Sequence, residues 1–580
     1  MPVATDRRLF LKYLGAGVTG AVAGASAGPL GPIVEARGAM PFAGATAAAA
    51  AGSFMSFGPI APTDRDALTL PGGFRYQVVL AYGDRFTKAG ERFGFNADFT
   101  AFVPRNADGT EGLLFVNHEY VGDATDNYGQ AFARVVGGVP TLEDLTFDVG
   151  NSVVHLRKNP GGSWVVMDSD LNRRITANTL MIADGPALAG VANVGGTLGN
   201  CSGCHTPWNT VLTCEENYQD YVPENLVTDG RGTVGGPFDK NGTHFGWVVE
   251  IDPQDPASVP VKHTWLGRFR HENVSLRAAA NEHVVAYMGD DRTNGHVYKF
   301  VSAGRYVPGS AANKGLLASG TLYSAKFGAD GSGQWQELAP GTALDPYPRS
   351  SMPAVPSGAT TLGGVYGSQA NILIDAYRAS NLIGSTPTGR PEDVEVHPVD
   401  KSIYIAFTAN ATAQNSLFNN IYGELVRIAE SSADGTGTTF TWQRWKAGGP
   451  NDAAQAGHVF AAPDNLVFDS AANLWVVTDI STSRLNADAR YSTFMNNGMF
   501  FVPTSGPHAG SAFQFASAPC ESELTGPSWA REEQTLFLSV QHPGEVNGTR
   551  RSSADAPKGS NWPHRSHGVP LPAVVAIERD

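Results

Sequence analysis

The sequence predicts an all-β protein assembled from repeated hairpins. Six stretches share one pattern: an acid or amide, a strand, a turn, a second strand, and then another acid or amide. The 67 glycines and 37 prolines of the 580-residue chain favour many turns and loops over helices. The six stretches are Phe93–Tyr120, Asn200–Asn217, Arg270–Asp291, Arg390–Asn410, Ala462–Asp479 and Glu523–Pro543.

Two of these stretches show the pattern most plainly, "RPEDVEVHPVDKSIYIAFTAN" and "APDNLVFDSAANLWVVTD". Their apolar residues alternate, and a short polar turn divides each one, which is typical of a β-hairpin. A hairpin returns to the side from which it started, so hairpins arranged around an axis would collect their terminal acids at one mouth. Crowded carboxylates cannot all stay ionised unless cations neutralise them. The pattern therefore predicts a polynuclear metal site.

Length, composition and charge narrow the class of protein. A hydrophobic content of 42% and a charged content of 17% are typical of a folded, soluble chain. Because all-β repeat folds run long as one unit, we predict a single domain over residues 53–580. The formal net charge of −14 argues against nucleic acid as a partner, and bound cations would cancel part of it.

Residues 1–52 indicate an export signal followed by a low-complexity spacer. Arg7 and Arg8 precede Phe10, Leu11 and Lys12, which is the twin-arginine export pattern. The apolar run that follows is too short and too glycine-rich to span a membrane, so we do not expect an integral membrane protein. We expect the twin-arginine machinery to deliver the chain to the periplasm or outside the cell, where disulfides are permitted.

Four cysteines leave three interpretations open. "CSGCH" places Cys201, Cys204 and His205 in the C-x-x-C-H pattern of haem c attachment, although haem c is joined to unfolded chains and twin-arginine export carries folded ones. Alternatively, Cys201 is a thiolate metal ligand, and a thiolate among carboxylates favours a transition metal over calcium alone. The third interpretation is a structural disulfide, either Cys201–Cys204 or Cys214–Cys520.

Acids and amides recur at the hairpin ends. Taken singly, such residues are more often solvated loop acids or turn formers, so only their recurrence indicates a metal site. Oxygen ligands in this number suit Ca²⁺, Fe³⁺ would accept carboxylates plus one thiolate, and 14 histidines disfavour a histidine-rich zinc site. The hairpin-end residues are Asn96, Asp98, Asn117, His118, Glu119, Glu215, Glu216, His271, Glu272, Asp290, Asp291, Glu392, Asp393, Asp464, Asn465, Asp479, Glu521 and Glu523.

Arg390 is the cation of interest at this mouth. It lies two residues before Glu392, and its planar guanidinium is suited to phosphate. Metal ions and an arginine together form a clamp for a phosphoryl group, whose transition state gathers charge on its oxygens. The alternative is a structural ion pair between Arg390 and Glu392.

Eight motifs, in order along the chain, resemble those of the PhoX-type alkaline phosphatases. They span about residues 60–548 and are specific as a set, although each one alone would be weak. The motifs are "NHEY", "NC…TPWNTVLTCEEN", "FGWVVEIDP", "GRFRHE", "YMGDDR…YKFVS", "RPEDVEVHP", "PDNLVFD…NLWVVTD" and "ELTGP…TLFLSVQHPGE".

The resemblance implies a β-propeller of about six blades with inserted loops and extra strands. It implies a cluster of two ferric and three calcium ions with a bridging oxygen, and phosphomonoester substrates. By motif, Arg390 would bind the phosphate and Cys201 would bind iron. The further metal ligands that it implies are Glu272, Asp291, Glu392, Glu119, Glu215 or Glu216, Asp464 and Glu523.

The remaining segments can be given structural roles from the architecture of a propeller. The runs "GWVVEIDP" and "HVYKFVS" are expected to be outer strands of blades, and Ser302–Ala370 is expected to hold a large insertion. A last strand, Ala573–Ile577, would complete an end blade and close the ring.

The chain also departs from the family pattern. Cys204 and His205 stand where the family has glycine-rich sequence, and Ala97 replaces an amide. These departures keep two other classes open: a calcium-dependent propeller hydrolase, such as a lactonase or phosphodiesterase, and a non-enzymatic metal-binding propeller.

Overall fold

A computed structural model describes residues 56–122, 127–224, 234–346, 355–408, 416–450, 460–530, 533–546, 549 and 559–580. The predicted export signal over residues 1–52 lies outside the described residues, as does Asn410 at the end of the fourth predicted hairpin. Among the described residues, no helix is both long enough and apolar enough to cross a membrane.

Strands dominate the described chain. In chain order they are β1 (Phe74–Ala81), β2 (Ala97–Pro104), β3 (Glu111–His118), β4 (Gly150–Lys158), β5 (Trp164–Val166), β6 (Arg173–Ile175), β7 (Ile182–Asp184), β8 (Asn200–His205), β9 (Val211–Glu215), β10 (Val234–Gly235), β11 (Lys240–Asn241), β12 (Val248–Ile251), β13 (Val261–His263), β14 (His271–Arg277), β15 (His283–Asp290), β16 (Thr293–Gly295), β17 (Val297–Arg305), β18 (Gly320–Phe327), β19 (Ser332–Glu337), β20 (Thr388–Gly389), β21 (Pro391–Val396), β22 (Ile403–Phe407), β23 (Glu424–Glu430), β24 (Thr439–Ala447), β25 (Pro463–Phe468), β26 (Leu474–Thr478), β27 (Gly498–Val502), β28 (Phe513–Ser517), β29 (Glu523–Trp529), β30 (Thr535–Gln541) and β31 (Ala573–Arg579).

Helices are short and lie in the connections. The α-helices are α1 (Asn127–Phe132), α2 (Leu142–Asp148), α3 (Leu362–Tyr366), α4 (Gln369–Ile374), α5 (Ala376–Leu382) and α6 (Thr482–Ala487). A π-helical turn covers Ala133–Gly137, and 3₁₀ turns cover Asn217–Asp220, Gly242–His244, Thr264–Leu266, Ala311–Ala318 and Ala489–Tyr491.

All six predicted hairpins form antiparallel strand pairs. The pairs are β2–β3, β8–β9, β14–β15, β21–β22, β25–β26 and β29–β30. The first strand of each hairpin contacts the first strands of two other hairpins, in the closed order β2, β8, β14, β21, β25, β29 and back to β2. The hairpins therefore surround an axis, and the prediction of an all-β propeller is confirmed.

Outer strands extend each hairpin away from the axis. The two predicted extra strands form β12, which pairs with β9, and β17, which pairs with β15. The predicted insertion supplies β18, β19, α3 and the start of α4. Strand β19 pairs with β24, so the third and fourth hairpins belong to one nine-stranded sheet.

The C-terminal strand closes the ring, as predicted. Strand β31 lies between β1 and β30 and pairs antiparallel with both, so the two ends of the chain share one four-stranded sheet. Its residues Val575 and Ile577 are fully buried in the largest apolar cluster of the protein. Closure thus depends on apolar side chains as well as on two ladders of hydrogen bonds.

We expect Val575→Ala to lower the free energy of unfolding by about 2 kcal/mol, because it removes two buried methyl groups and leaves a cavity. The matched control is Val399→Ala, since Val399 is 73% exposed and should tolerate the same change. Guanidinium titrations of both variants measure the difference. Equal midpoints would show that β31 does not support the ring.

Candidate metal centre

The same β-bulge occurs in each of the six inner strands. In each strand, two consecutive residues oppose a single residue of the partner strand, near the start of the first five strands and in the middle of β29. A bulge of this kind bends the strand and re-aims a side chain. The bulged pairs are 98–99, 201–202, 272–273, 392–393, 464–465 and 526–527. In the first five pairs, the leading residue is an acid or a cysteine at the mouth.

Left-handed backbone conformations precede several of these strands. Asn96, Arg390 and Ala462 have φ values of 48°, 37° and 48°, and each directly precedes an inner strand. Gly199 takes the same position before β8 with a φ of 62°. Non-glycine residues adopt this region at a cost in free energy, and they concentrate at functional sites.

Side chains from different hairpins converge at the mouth. Four groups of three each bring one ligand atom per residue within 4.8 Å of the others. Cys201 and Glu272 each belong to two groups, so three of the groups form one continuous run. The groups are Asp98–Glu119–Cys201, Cys201–Glu216–Glu272, Glu272–Glu392–Asp464 and Asp479–Glu523–His542.

Amides and a thiol hold these carboxylates close together. The Cys201 thiol donates to Glu272 Oε1 over 3.0 Å. Asn217 Nδ2 donates to Glu119 and Glu216, each over 2.6 Å, and Gln541 Nε2 donates to Glu119 over 2.5 Å. Acids from the first two hairpins are therefore linked before any cation binds.

Burial and neighbouring like charges raise the pKa values of these carboxyl groups. The largest cause is desolvation, and the next is in most cases another acid of the same cluster. The affected groups are Asp98, Glu216, Glu272, Glu392, Asp464 and Glu523. Burial and the same acids raise the pKa of the Cys201 thiol as well.

A metal cluster fits this site. Asp98 Oδ2 is buried and has no hydrogen-bond partner in the described part of the chain. Carboxylate oxygens, one thiol and one imidazole are donors to divalent and trivalent cations, and a cation would offset both the desolvation and the mutual repulsion. Without cations, several of these acids would have to hold protons at neutral pH.

Arg390 lies against this cluster. Its Nε and Nη2 donate to the two oxygens of Asp291 over 2.9 and 2.5 Å, and Nη2 lies 3.1 Å from Glu392 Oε1. Burial alone would lower the pKa of Arg390, but the charges of Asp291 and Glu392 outweigh it and raise the pKa. The side chain is 34% exposed, so a permanently charged guanidinium faces the mouth.

The strand register decides which hairpin-end residues reach the centre. Glu119, Glu216, Asp291, Asp479 and His542 each follow the last paired residue of their hairpin by one position. Four of them belong to the three-residue groups, while Asp291 binds Arg390. One shared offset thus identifies the residues that follow the second strand of these five hairpins and lie at the mouth.

Glu215 lies elsewhere. It pairs with Asn200 inside the β8–β9 ladder, so it points to the opposite side from Glu216. Its Oε1 lies 2.6 Å from Lys262 Nζ, and both side chains are fully buried. The Trp247 amide donates to its other oxygen over 3.1 Å. Of the two alternatives that the sequence left open, the geometry favours Glu216 at the metal centre.

Three members of the groups were not assigned from the sequence. Asp98 and Asp479 belong to the hairpin-end pattern, but the resemblance did not include them among the ligands. His542 was not singled out, and its Nε2 lies 3.0 Å from Glu523 Oε2. It follows β30 at the same offset as Glu119 follows β3, which is the signal that could have identified it.

The four cysteines lie in three different surroundings: Cys201 at the metal centre, Cys204 and Cys214 in one apolar cluster, and Cys520 near Asp66. None of the four, all of which are within the described chain, forms a disulfide. The "CSGCH" segment forms β8, with Cys201 buried at the cluster and Cys204 packed against an apolar cluster. Haem c attachment needs both thiols to reach one porphyrin edge, so these surroundings favour the ligand interpretation of Cys201.

Comparison with known proteins decides the family. The family model described as alkaline phosphatase PhoX matches residues 55–544 of the sequence. The chain belongs to the PhoX alkaline phosphatase family. Family membership makes it a metal-dependent phosphomonoesterase, which confirms the predicted enzyme class. No curated protein matches the sequence.

One solved structure agrees with this family, and a second is only distantly similar. PhoX from Pseudomonas fluorescens, in complex with vanadate, a transition state analogue, is 30% identical; the match covers 90% of this chain and 98% of that one, with a TM-score of 0.74. A gluconolactonase from Xanthomonas campestris is 9% identical, with coverages of 91% and 99% and a TM-score of 0.31. The second score is too low to support a lactonase.

We expect metal-free protein to lose stability as the pH rises from about 4 through neutrality. The raised pKa values mean that the folded state keeps protons that the unfolded chain has released above its ordinary carboxyl pKa of about 4. Stability therefore falls as these groups ionise, and added Ca²⁺ should cancel the loss. Thermal unfolding across this pH range, with and without Ca²⁺, measures the effect.

The Glu272→Gln variant tests whether charge crowding causes this pH dependence, because it removes one negative charge from the site. Metal-free Glu272→Gln should lose less stability over the same pH range than metal-free wild type. A matched exposed acid, Glu337, should give the wild-type slope when changed to glutamine. A flat or rising stability in metal-free wild type would contradict the electrostatic explanation.

Proposed function

We propose that this alkaline phosphatase hydrolyses small phosphomonoesters with an iron and calcium cluster at the mouth, and that Arg390 binds the phosphate. The observation that carries the proposal is the contact of a charged, one-third exposed guanidinium with the acids of the candidate metal centre. Vanadate bound to the Pseudomonas fluorescens relative, described there as a transition state analogue, supports a phosphoryl substrate.

The donor atoms differ between the groups, so different groups favour different metal ions. A thiolate suits iron better than calcium, so the group of Cys201, Glu216 and Glu272 would hold Fe³⁺. The group of Glu272, Glu392 and Asp464 offers oxygen atoms alone, which suits Ca²⁺. Glu272 belongs to both groups and would bridge the two kinds of ion.

The proposed ligand set also includes the Asp479–Glu523–His542 group, and Asp98 and Glu119 from the group that they form with Cys201. Asp291 is retained in the set as expected from the sequence. Bound metal ions would supply Lewis-acid stabilisation of the phosphoryl oxygens and a water of lowered pKa. The protein itself fixes the donors before binding, through bulged strands and buried amides. Such preorganisation avoids the cost of rearranging charges during the reaction.

Arg390 would orient the phosphate group. Its bidentate contact with Asp291 fixes the guanidinium plane, so the remaining donor edge has a defined direction toward the mouth. The permanent positive charge would offset negative charge that develops on the equatorial oxygens. Since the residue is always protonated, this contribution does not change over the working pH range of an alkaline phosphatase.

We further propose that residues 1–52 act as a twin-arginine export signal and spacer, and that residues 53–580 form the single catalytic unit. The protein would then work in the periplasm or outside the cell after interacting with the twin-arginine machinery. Export of a folded chain would allow the metal cluster to assemble first.

Arg390→Ala should reduce turnover of p-nitrophenyl phosphate by about 100-fold to 1000-fold, the usual loss when one charge-stabilising donor is removed. Bound iron and calcium, measured by elemental analysis, should change little. Arg427→Ala is the matched control, because Arg427 pairs with Asp400 in a partly exposed ion pair on an outer strand. Normal turnover in Arg390→Ala would refute the phosphate role.

Cys201→Ser should lower the iron content and the visible absorbance of the purified protein, since the hydroxyl replaces the one thiolate of the cluster. Elemental analysis and an absorbance scan measure both. Cys520→Ser is the control, because that thiol donates to Asp66 over 3.6 Å and a hydroxyl can keep this bond. Unchanged iron in Cys201→Ser would exclude the thiolate as an iron ligand.

A further inference from the structure

A cavity of about 370 Å³ lies directly beneath the layer of metal-centre acids. Its lining includes Phe99, Ser202, Asp393 and Asn465, which are the second residues of four bulges. The first residue of each of these bulges belongs to the candidate metal centre. The bulges therefore separate two spaces along the axis, the mouth above and this cavity below.

Asp393 is an acid of the lower space with half of its hydrogen-bonding capacity unused. The residue is 2% exposed, and its Oδ2 accepts from the Leu466 amide over 2.8 Å. Its Oδ1 is buried and has no partner among the described residues. A buried carboxylate oxygen without a donor or a cation is costly, so it marks a place where a ligand binds.

Glu395 supplies a second carboxylate to the same cavity, two residues further along β21. Its Oε2 accepts from the Ser275 hydroxyl over 3.1 Å. The described lining contains no lysine or arginine, and desolvation lowers the pKa of its histidine, His205. Two acids thus share this space without a protein cation.

We propose that Asp393 and Glu395 bind one Ca²⁺ ion in this cavity, separate from the metal centre at the mouth. Carboxylate and hydroxyl oxygens are the donors that Ca²⁺ prefers, and the ion completes six to eight ligands with water where the protein supplies few. At about 30 Å³ per water molecule, the cavity holds the ion and a full set of water ligands.

The remaining donors of the lining do not favour a softer metal ion such as Zn²⁺. Cys204 also lines the cavity, but burial and the charges of Glu395 and Asp393 raise the pKa of its thiol. A protonated thiol is a weak ligand, because the thiolate is the form that binds metals. Oxygen donors therefore dominate, which favours Ca²⁺ over Zn²⁺.

The position of the ion gives it a structural role. Asp393 bonds to Leu466 on β25, and Glu395 bonds to Ser275 on β14, while both acids belong to β21. An ion held by both acids ties three neighbouring inner strands together at the axis. We expect it to stabilise the ring without entering the phosphatase reaction.

The test measures calcium in the metal-loaded full-length protein after transfer to calcium-free buffer. Glu395→Gln and Asp393→Asn should each contain about one Ca²⁺ fewer per chain than wild type by elemental analysis. Glu395→Gln should also unfold at a lower temperature while keeping wild-type turnover of p-nitrophenyl phosphate. Asp393→Asn keeps a carbonyl oxygen for the Leu466 amide, so it can fold.

Glu337→Gln, a change at an exposed acid, is the matched control and should keep the wild-type calcium content. Wild-type calcium in both Glu395→Gln and Asp393→Asn would overturn the proposal and would indicate that the two acids share a proton instead. If the variants lost one zinc ion rather than one calcium ion relative to wild type, the assignment of the ion would be overturned. Because these readouts are independent of Arg390, they do not depend on the proposed phosphate site.

Discussion

Mutual repulsion among buried acids is the constraint on which this protein depends. Carboxylates from different inner strands lie within a few ångströms of one another, and burial removes the water that would screen them. Such an arrangement persists only with protons or cations among the acids. We therefore expect metal binding and folding to be coupled, because the ligands repel each other in the empty site.

The repeated bulge is how the fold satisfies this constraint. Regular alternation would send consecutive residues to opposite faces, whereas the bulge gives five of the six inner strands a ligand above and a structural residue below. The lower residues bind the next blade: Asn273 donates to the Val394 carbonyl, and Asn465 accepts from the Gly526 amide. The residues that place the ligands therefore also hold the ring together, which links the chemistry of the mouth to the stability of the propeller.

Much of the site could be predicted, because hairpin-end acids are visible as a pattern. The pattern could not separate Glu215 from Glu216, since adjacent acids differ only by which one lies inside the ladder. It also omitted His542, because a histidine is not an acid and only the offset from β30 relates it to Glu119. Both outcomes follow from register, where a shift of one residue reverses the direction of every side chain.

The sequence by itself determined the hairpins, the closing strand and the family, because alternation and motif order are local properties of the chain. Only the tertiary structure decided which side chains meet, since the groups around Cys201 and Glu272 draw residues from hairpins far apart in sequence. It likewise revealed the cavity beneath them, because Asp393 and Glu395 look like ordinary strand acids until neighbouring blades enclose them. Proximity across blades depends on ring closure and bulge geometry, and neither can be inferred from a single segment of the sequence.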